Sequence, residues 1–174
     1  MAVNLCRLPL SLALIFSGFV KAIDPLGTQY KIGDYLEALH LEQYAPSWAT
    51  LTTSVLLSAV EFCLGVFLLF AIRRRKVSRV IVAFMAIMTA ITVWLWGWEP
   101  IKDCGCFGDA IHLTNGETLL KNLLLLAMAA VVAWKPFCMV RFISKTNQWI
   151  VINYTLLFIL VSSALSLWYL PPFD

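Results

Sequence analysis

Residues 50–79 read TLTTSVLLSAVEFCLGVFLLFAIRRRKVSR, and this stretch decides the fold. The run of 23 residues from Thr50 to Ile72 contains a single charged side chain, Glu61, and a basic cluster follows it at once. An α-helix of that length crosses the roughly 30 Å hydrocarbon layer of a bilayer. The stretch therefore predicts a transmembrane helix that ends in a basic loop.

Four further apolar runs occur in the chain. Hydrophobic residues make up 61% and charged residues 13% of the 174 positions, whereas soluble proteins carry about 45–50% and about 25%. The excess lies in long runs and not in one large core, which predicts five transmembrane helices: Leu5–Ile23, Thr50–Ile72, Val80–Trp98, Thr118–Trp134 and Trp149–Leu170. The first run lacks a small-residue cleavage site, so we interpret it as an uncleaved helix.

The basic residues predict the orientation, because Lys and Arg near helix ends stay in the cytoplasm. Nine of the 13 fall on one predicted side: Arg7, Arg73, Arg74, Arg75, Lys76, Arg79, Lys135, Arg141 and Lys145. Every acidic residue except Glu61 falls on the other side. We predict a multi-pass protein of the cytoplasmic (inner) membrane, with its N-terminus inside and its C-terminus outside. The net charge of +3 is gathered at helix ends and does not indicate a nucleic-acid surface.

Two segments on the predicted outer side are long enough to have structure. Residues 24–49 interleave apolar and acidic positions, which predicts a short amphipathic helix that lies on the bundle. Residues 99–117 contain a cysteine pair and end in TNGE at 114–117. This tetrapeptide predicts a capping box at the start of the fourth transmembrane helix.

The cysteines of this outer segment are the candidate catalytic residues. Cys104 and Cys106 stand two apart in a compartment where disulfides persist. A bridge between them needs α-carbons closer than the roughly 7 Å that two extended residues span, so the chain must bend at Gly105, which tolerates positive φ. The small ring would be strained, and strain makes a disulfide easier to exchange. The pair is therefore predicted to be redox-active.

The cysteine spacing leaves two other interpretations open. The pair can be an inert structural bridge or two unpaired thiols. Alternatively, Cys104 and Cys106 together with His112 and one Asp supply four metal ligands. The usual zinc-site spacing of about two to four residues between cysteines is missing, so no metal site is predicted.

Glu61 lies near the middle of the second predicted span, where an ionised carboxylate is energetically costly. Ser54, Ser58 and Gly65 share its helical face, which favours close helix packing. Glu61 is interpreted either as a group that holds the bundle together or as a proton-relay or quinone-adjacent carboxylate. Both interpretations stay open.

The first predicted helix ends with a similar stripe of Ser17, Lys21 and Asp24. Lys21 is placed near the outer edge, whereas Glu61 lies roughly 16 Å down its own helix at about 1.5 Å per residue. We therefore predict that Lys21 pairs with Asp24 and does not reach Glu61. Lys21, Asp24, Glu61 and Gly105 are the predicted supporting residues of the site.

Two motifs carry a family resemblance. Residues 16–25 (FSGFVKAIDP) are similar to the opening of DoxX-like proteins. Residues 103–109 (DCGCFGD), ahead of the fourth predicted helix, resemble the methylamine-utilisation MauE branch of that superfamily. The resemblance covers about residues 5–135 and leaves the fifth helix outside.

The resemblance implies a four-helix, redox-associated membrane module that is topologically similar to DsbB and to vitamin K epoxide reductase. MauE-type proteins are linked to the maturation of the disulfide-rich methylamine dehydrogenase, and DoxX-type proteins to thiosulfate–quinone electron transfer. Cys104 and Cys106 match the family's cysteine pair, and Lys21, Asp24 and Glu61 match its polar membrane positions. DsbB-like enzymes use two outer cysteine pairs and this chain has one, so a full relay needs a partner protein or direct transfer to a quinone.

These observations predict an all-α polytopic membrane bundle with a four-helix MauE/DoxX-like domain at residues 1–135 and a connector with the fifth helix at 136–174. The leading hypothesis is a thiol–disulfide or electron-transfer module without a covalently bound cofactor. It would exchange with an extracytoplasmic thioredoxin-fold or disulfide-bearing protein and use a quinone. A non-catalytic assembly or docking subunit is the alternative, and a transporter is a third interpretation. Whether the chain is a thiol–disulfide oxidoreductase stays open.

Overall fold

A computed structural model of the chain describes residues 2–39, 46–98, 114–144 and 146–169. Every element among these residues is helical: α1 (Ala2–Ile23), α2 (Pro25–Ala38), α3 (Ser47–Leu69), α4 (Arg74–Trp98), α5 (Asn115–Trp134) and α6 (Gln148–Tyr169), with one 3₁₀ turn at Pro136–Cys138. By length and composition, α1, α3, α4, α5 and α6 are able to cross a membrane. The predictions of an all-α polytopic bundle and of five transmembrane helices are confirmed.

Two helix pairs form the centre of the bundle. α1 packs against α3 and α4 packs against α5, and contacts between α1 and α5 join the two pairs. Their apolar faces meet in one core cluster, which includes Leu10, Leu68, Ile81, Met85 and Val132. The four helices therefore share a continuous interior, and polar side chains that point into it have no access to bulk water.

The helix predicted within residues 24–49 is α2, and its start follows from the local sequence. Asp24 accepts a hydrogen bond from the backbone nitrogen of Gly27 at 2.9 Å, and Pro25 occupies the first helical position. Asp at the N-cap and Pro directly after it are both favourable there. α2 packs against α3, and hydrogen bonds join it to Ser47 and Ser54 in the first turns of that helix. The predicted short helix on the bundle is therefore confirmed over its described part.

α6 packs on the outside of the α1–α3 pair. Its Phe158 ring stacks on Phe19 and on Phe62, with ring centroids 6.2 and 5.5 Å apart. Ile159 completes a small core cluster with Ala22 and Phe62. Only 17% of the apolar span of α6 is buried, so most of this helix presents apolar side chains outward, as a lipid-facing helix does.

The connector between α5 and α6 is fixed at what we call the basic end of the bundle, the end at which α1 begins and α5 stops. Arg7 Nη1 donates to the carbonyl of Val140 at 2.7 Å, and its guanidinium lies 5.0 Å from the centre of the Phe142 ring. Arg74 Nη1 donates to the carbonyl of Phe137 at 3.0 Å. The connector thus contacts the four-helix part directly. The domain division after residue 135 stays a prediction.

Candidate functional site

The site begins with a close crossing of α1 and α3. A Cβ atom on Gly18 would lie 2.4 Å from the backbone nitrogen of Phe62, and one on Gly65 would lie 2.7 Å from that of Ile15. Neither contact is sterically allowed, so only glycine fits at both positions. Glycines of this kind let membrane helices bring their backbones into near contact. Side chains on the facing sides of α1 and α3 are consequently forced together.

The crossing joins Lys21 to Glu61. Lys21 Nζ lies 2.6 Å from Glu61 Oε2, and the two side chains are 5% and 9% exposed. Ser17 Oγ donates to the other carboxylate oxygen, Oε1, at 2.9 Å. Each oxygen of the carboxylate therefore has a donor, as a buried charge requires if it is to remain stable away from water.

The pairing predicted from the sequence is wrong, because Lys21 binds Glu61 and not Asp24. Asp24 instead caps α2 through its hydrogen bond from the backbone nitrogen of Gly27. Of the three polar membrane residues in the predicted site, the structure brings Lys21 and Glu61 together. Asp24 acts at the neighbouring helix start.

The error has a geometric cause. The prediction assumed that α1 and α3 reach the same height on the outer side. In the structure, α3 extends past the end of α1 at Ile23, and its first turns pack against α2. The hydrogen bond from Ser54 Oγ to the carbonyl of Pro25, 2.7 Å long, fixes this offset. The last turn of α1 is therefore level with Glu61 in the middle of α3.

The predicted polar stripe on α3 is confirmed. Ser54, Ser58, Glu61 and Gly65 are all buried. Ser54 contacts α2, whereas Glu61 and Gly65 contact α1. The stripe is thus the packing face of α3, and this finding supports the interpretation in which Glu61 holds the bundle together. The proton-relay interpretation stays a prediction.

A small cavity lies beside the ion pair, between α1, α3, α4 and α5. Its volume is about 20 Å³, which is room for about one water molecule. The polar part of its lining consists of Ser17, Lys21, Glu61, Lys121 and Asn122. A water molecule in such a place is well bound when it has two to four polar partners.

Asn122 connects α5 to α4 at this cavity. Its Nδ2 donates to Thr92 Oγ1 at 2.9 Å, and both side chains are buried. The sequence reasoning missed this pair. An isolated amide inside an apolar span was a signal for Asn122, but a lone threonine carries no such signal because it commonly bonds within its own helix. Lys121, the residue before Asn122 on α5, also lines the cavity.

The start of α5 has the predicted capping box. Thr114 Oγ1 accepts from the backbone nitrogen of Glu117, and the Glu117 carboxylate accepts from the backbone nitrogen of Thr114 at 3.0 Å. The two side chains satisfy donors that the first helical turn would otherwise leave unpaired. This cap fixes where α5 begins, and so where the preceding segment must end.

That preceding segment, residues 99–113, lies outside the described residues together with Cys104, Gly105 and Cys106. The redox role of the pair stays a prediction. The alternative metal site includes His112 and lies outside them as well. Within the described ranges, no group of three or more His, Cys, Asp or Glu side chains is placed to hold a metal ion.

The fold and the site define a class of protein, a polytopic membrane helix bundle whose first and third helices cross at glycines and share a buried lysine–glutamate pair. Residues 1–135 match the family model described as methylamine utilisation protein MauE, so the chain belongs to the MauE family. The MauE resemblance of the sequence is confirmed. No curated protein and no solved structure matches the chain.

Proposed function

We propose that the chain is a thiol–disulfide exchange module of the cytoplasmic (inner) membrane, with Cys104 and Cys106 as its reactive pair on the outer side. The observation that carries the proposal is the buried Lys21–Glu61 pair beside a cavity of water size. Ionisable groups inside a membrane bundle are costly and mark places where protons or ions are handled. Dithiol oxidation releases two protons with each electron pair, so a proton site suits this chemistry.

The position of the cavity along α5 gives further support. Lys121 and Asn122 line the cavity and follow the first residue of α5, Asn115, by about two helical turns, or roughly 10 Å. Residues 99–113 precede that helix start directly. A proton site this close along the chain is suited to serve the proposed cysteine pair.

The proposed reaction is an exchange with an extracytoplasmic thioredoxin-fold or disulfide-bearing protein. A thiolate of the reduced partner attacks one sulfur of the Cys104–Cys106 disulfide, forms a mixed disulfide and releases the other cysteine as a thiolate. The partner's second thiolate then breaks the mixed disulfide. The partner is thereby oxidised, and the pair gains two electrons and, once protonated, two protons. Glu61 and Lys21 are proposed to exchange protons with the cavity while the thiols of the pair gain and lose theirs.

A membrane quinone is the proposed electron acceptor, but the cavity beside Glu61 does not fit one. At about 20 Å³ the cavity has room for about one water molecule, and a quinone ring is several times larger. A quinone would have to contact the bundle from its lipid-facing side.

Membership of the MauE family also supports the proposed function. MauE proteins are described as methylamine utilisation proteins, and we propose that this chain serves methylamine metabolism by acting on a protein that needs its disulfides formed or exchanged. The basic residues collected at one end of the bundle support a cytoplasmic N-terminus and an outer position for segment 99–113.

The experiment that tests the proposal is a measurement of the midpoint potential of Cys104/Cys106 in membranes, by alkylation and mass shift across a series of thiol/disulfide buffers. A reversible pair between about −120 and −270 mV, the range of known exchange catalysts, supports the proposal. A bond that stays oxidised below about −300 mV, or thiols that never pair, would contradict it. Cys106→Ser should trap a mixed disulfide with the partner. Cys138→Ser is the matched control, because Cys138 is exposed and free.

One observation favours a second candidate, the non-catalytic docking subunit. Both oxygens of Glu61 are already bonded within the bundle, as a purely structural pair requires. If the chain is a docking subunit, Cys104→Ser leaves it inserted in the membrane and either abolishes partner binding or changes nothing. In the exchange module, the same variant keeps partner binding and loses turnover. Co-purification and turnover, measured on one preparation, separate the two candidates.

A further inference from the structure

A second pocket lies at the basic end of the bundle, between the first turns of α4 and the end of α5. Its volume is about 520 Å³, within the roughly 300–1,000 Å³ of ligand sites. Three of its lining residues are basic, Arg75, Arg79 and Lys135, and two are aromatic, Trp134 and Phe137. All five are exposed. The pocket is therefore open to a molecule from outside the protein.

Among the described residues, no acidic side chain pairs with the basic residues of this pocket. Neither residues 62–98 nor residues 118–173 contain an Asp or a Glu. In the part of the chain that the structure describes, no hydrogen bond or ion pair engages the charged groups of Arg79 and Lys135. Arg74, in contrast, is bonded to two carbonyls of the connector. Neighbouring unpaired cations repel one another, so an anion between them is stabilising.

The aromatic residues indicate the depth of the pocket. Trp134 is 84% and Phe137 59% exposed, and exposed rings at helix ends are typical of the membrane–water interface. The guanidinium of Arg75 lies 4.4 Å from the centre of the Phe137 ring, which holds the charge at the pocket wall. The apolar span of α4 begins at Arg74 and that of α5 ends at Trp134. The pocket therefore lies where two spans end, at the level of phospholipid headgroups.

We propose that this pocket binds the phosphate group of an anionic phospholipid, with Arg75, Arg79 and Lys135 as its ligands. Guanidinium groups donate paired hydrogen bonds to phosphate oxygens, and lysine adds a point charge. Basic pockets between transmembrane helices bind lipid headgroups in this way. Inorganic phosphate has the same chemistry, but the headgroup depth and the exposed rings favour a lipid. The proposal is independent of the redox function.

The test compares lipid retention by purified protein. The chain is reconstituted in vesicles of equal parts phosphatidylglycerol and phosphatidylcholine and extracted into detergent, and the co-purified lipids are quantified by mass spectrometry. We expect phosphatidylglycerol to be enriched by about tenfold over the vesicle ratio. In the Arg75→Gln/Arg79→Gln/Lys135→Gln variant the enrichment should be lost. In Arg75→Lys/Arg79→Lys, which keeps the charge, most of it should remain.

The matched control is Arg73→Gln/Lys76→Gln/Arg141→Gln, which removes three charges from the same end but none from the pocket lining. It should retain the enrichment. Equal loss in the control would overturn the proposal, because the attraction would then belong to the whole basic end. Absence of enrichment in the unchanged protein would overturn it too. Binding of inorganic phosphate that depends on Arg75, Arg79 and Lys135, without any enrichment of phosphatidylglycerol, would assign the pocket to a phosphate from solution and refute the lipid assignment.

Discussion

The ammonium of Lys21 and the carboxylate of Glu61 meet at 2.6 Å although the two residues are 40 positions apart in the sequence. The contact depends on two features that lie outside the pair itself. The glycines at the crossing let α1 and α3 approach, and the packing of α2 on α3 sets their relative height. The pair therefore depends on how α1, α2 and α3 pack together at this end of the bundle.

Removal of one charge of this pair should be strongly destabilising. Glu61→Gln leaves the Lys21 ammonium buried without a counter-charge, and breaking a buried pair in this way costs about 3–5 kcal/mol. The loss of stability is measured by thermal unfolding in detergent. The alkylation of Cys63, which is buried in the folded protein, serves as the readout of unfolding. Lys21→Met/Glu61→Met removes both charges and should recover most of the loss. A double variant that is as unstable as Glu61→Gln alone would show that the two residues are not coupled.

Variants of Asp24 distinguish the observed Lys21–Glu61 pair from the Lys21–Asp24 pair predicted from the sequence. Because Asp24 caps α2 and Asn caps helices equally well, Asp24→Asn should change stability by only a few tenths of a kcal/mol, whereas Asp24→Ala should cost about 1 kcal/mol. The same unfolding measurement applies. If Asp24→Asn destabilised the protein as much as Glu61→Gln does, Lys21 would be paired with Asp24.

The crossing glycines should not tolerate a methyl group. Gly18→Ala would place Cβ 2.4 Å from a backbone nitrogen of α3, and backbone cannot move aside as a side chain can. We expect a loss at or above the upper end of the roughly 1–3 kcal/mol typical of overpacking. Gly97→Ala is the control, because no atom lies within 4 Å of the added Cβ and alanine favours the helix by up to about 1 kcal/mol. Equal unfolding temperatures for the two variants would contradict the close crossing.

Arg7 should control how firmly the connector is held. Its hydrogen bond to the carbonyl of Val140 is charge-assisted, and such bonds are worth about 1.5–3 kcal/mol. Arg7→Met should therefore raise amide hydrogen exchange in residues 137–144 by about tenfold or more. Lys76→Met removes an exposed charge from the same end and should leave the exchange unchanged. Unaltered protection in Arg7→Met would mean that the connector is held by other contacts.

The sequence predicts the transmembrane helices well because their cause is local. Twenty or so apolar residues in a row have one stable arrangement in a bilayer, and the capping box of α5 is likewise contained in four residues, Thr114 to Glu117. The stripe on α3 is predictable for the same reason, since helical periodicity alone places Ser54, Glu61 and Gly65 on one face.

The partners across helices are not predictable in this way. Whether Lys21 reaches Glu61 depends on how far α3 extends past α1, and the hydrogen bond from Ser54 of α3 to the backbone of α2 sets that offset. The bond between Asn122 and Thr92 likewise requires the register of α4 on α5, which hydrophobicity does not encode. For Cys104 and Cys106 the spacing supplies a chemical hypothesis, and the proposed potential measurement remains its test.

The contact between Arg7 and Val140 has a consequence for biosynthesis. The two residues are 133 positions apart, so the first helix enters the membrane long before the ribosome has made the carbonyl that its guanidinium binds. The same holds for Asn4, whose side-chain oxygen accepts a hydrogen bond from the backbone nitrogen of Val140. During most of translation the beginning of the chain therefore lacks its final partners. The connector between α5 and α6, which is synthesised much later than α1, then fixes the first helix in place.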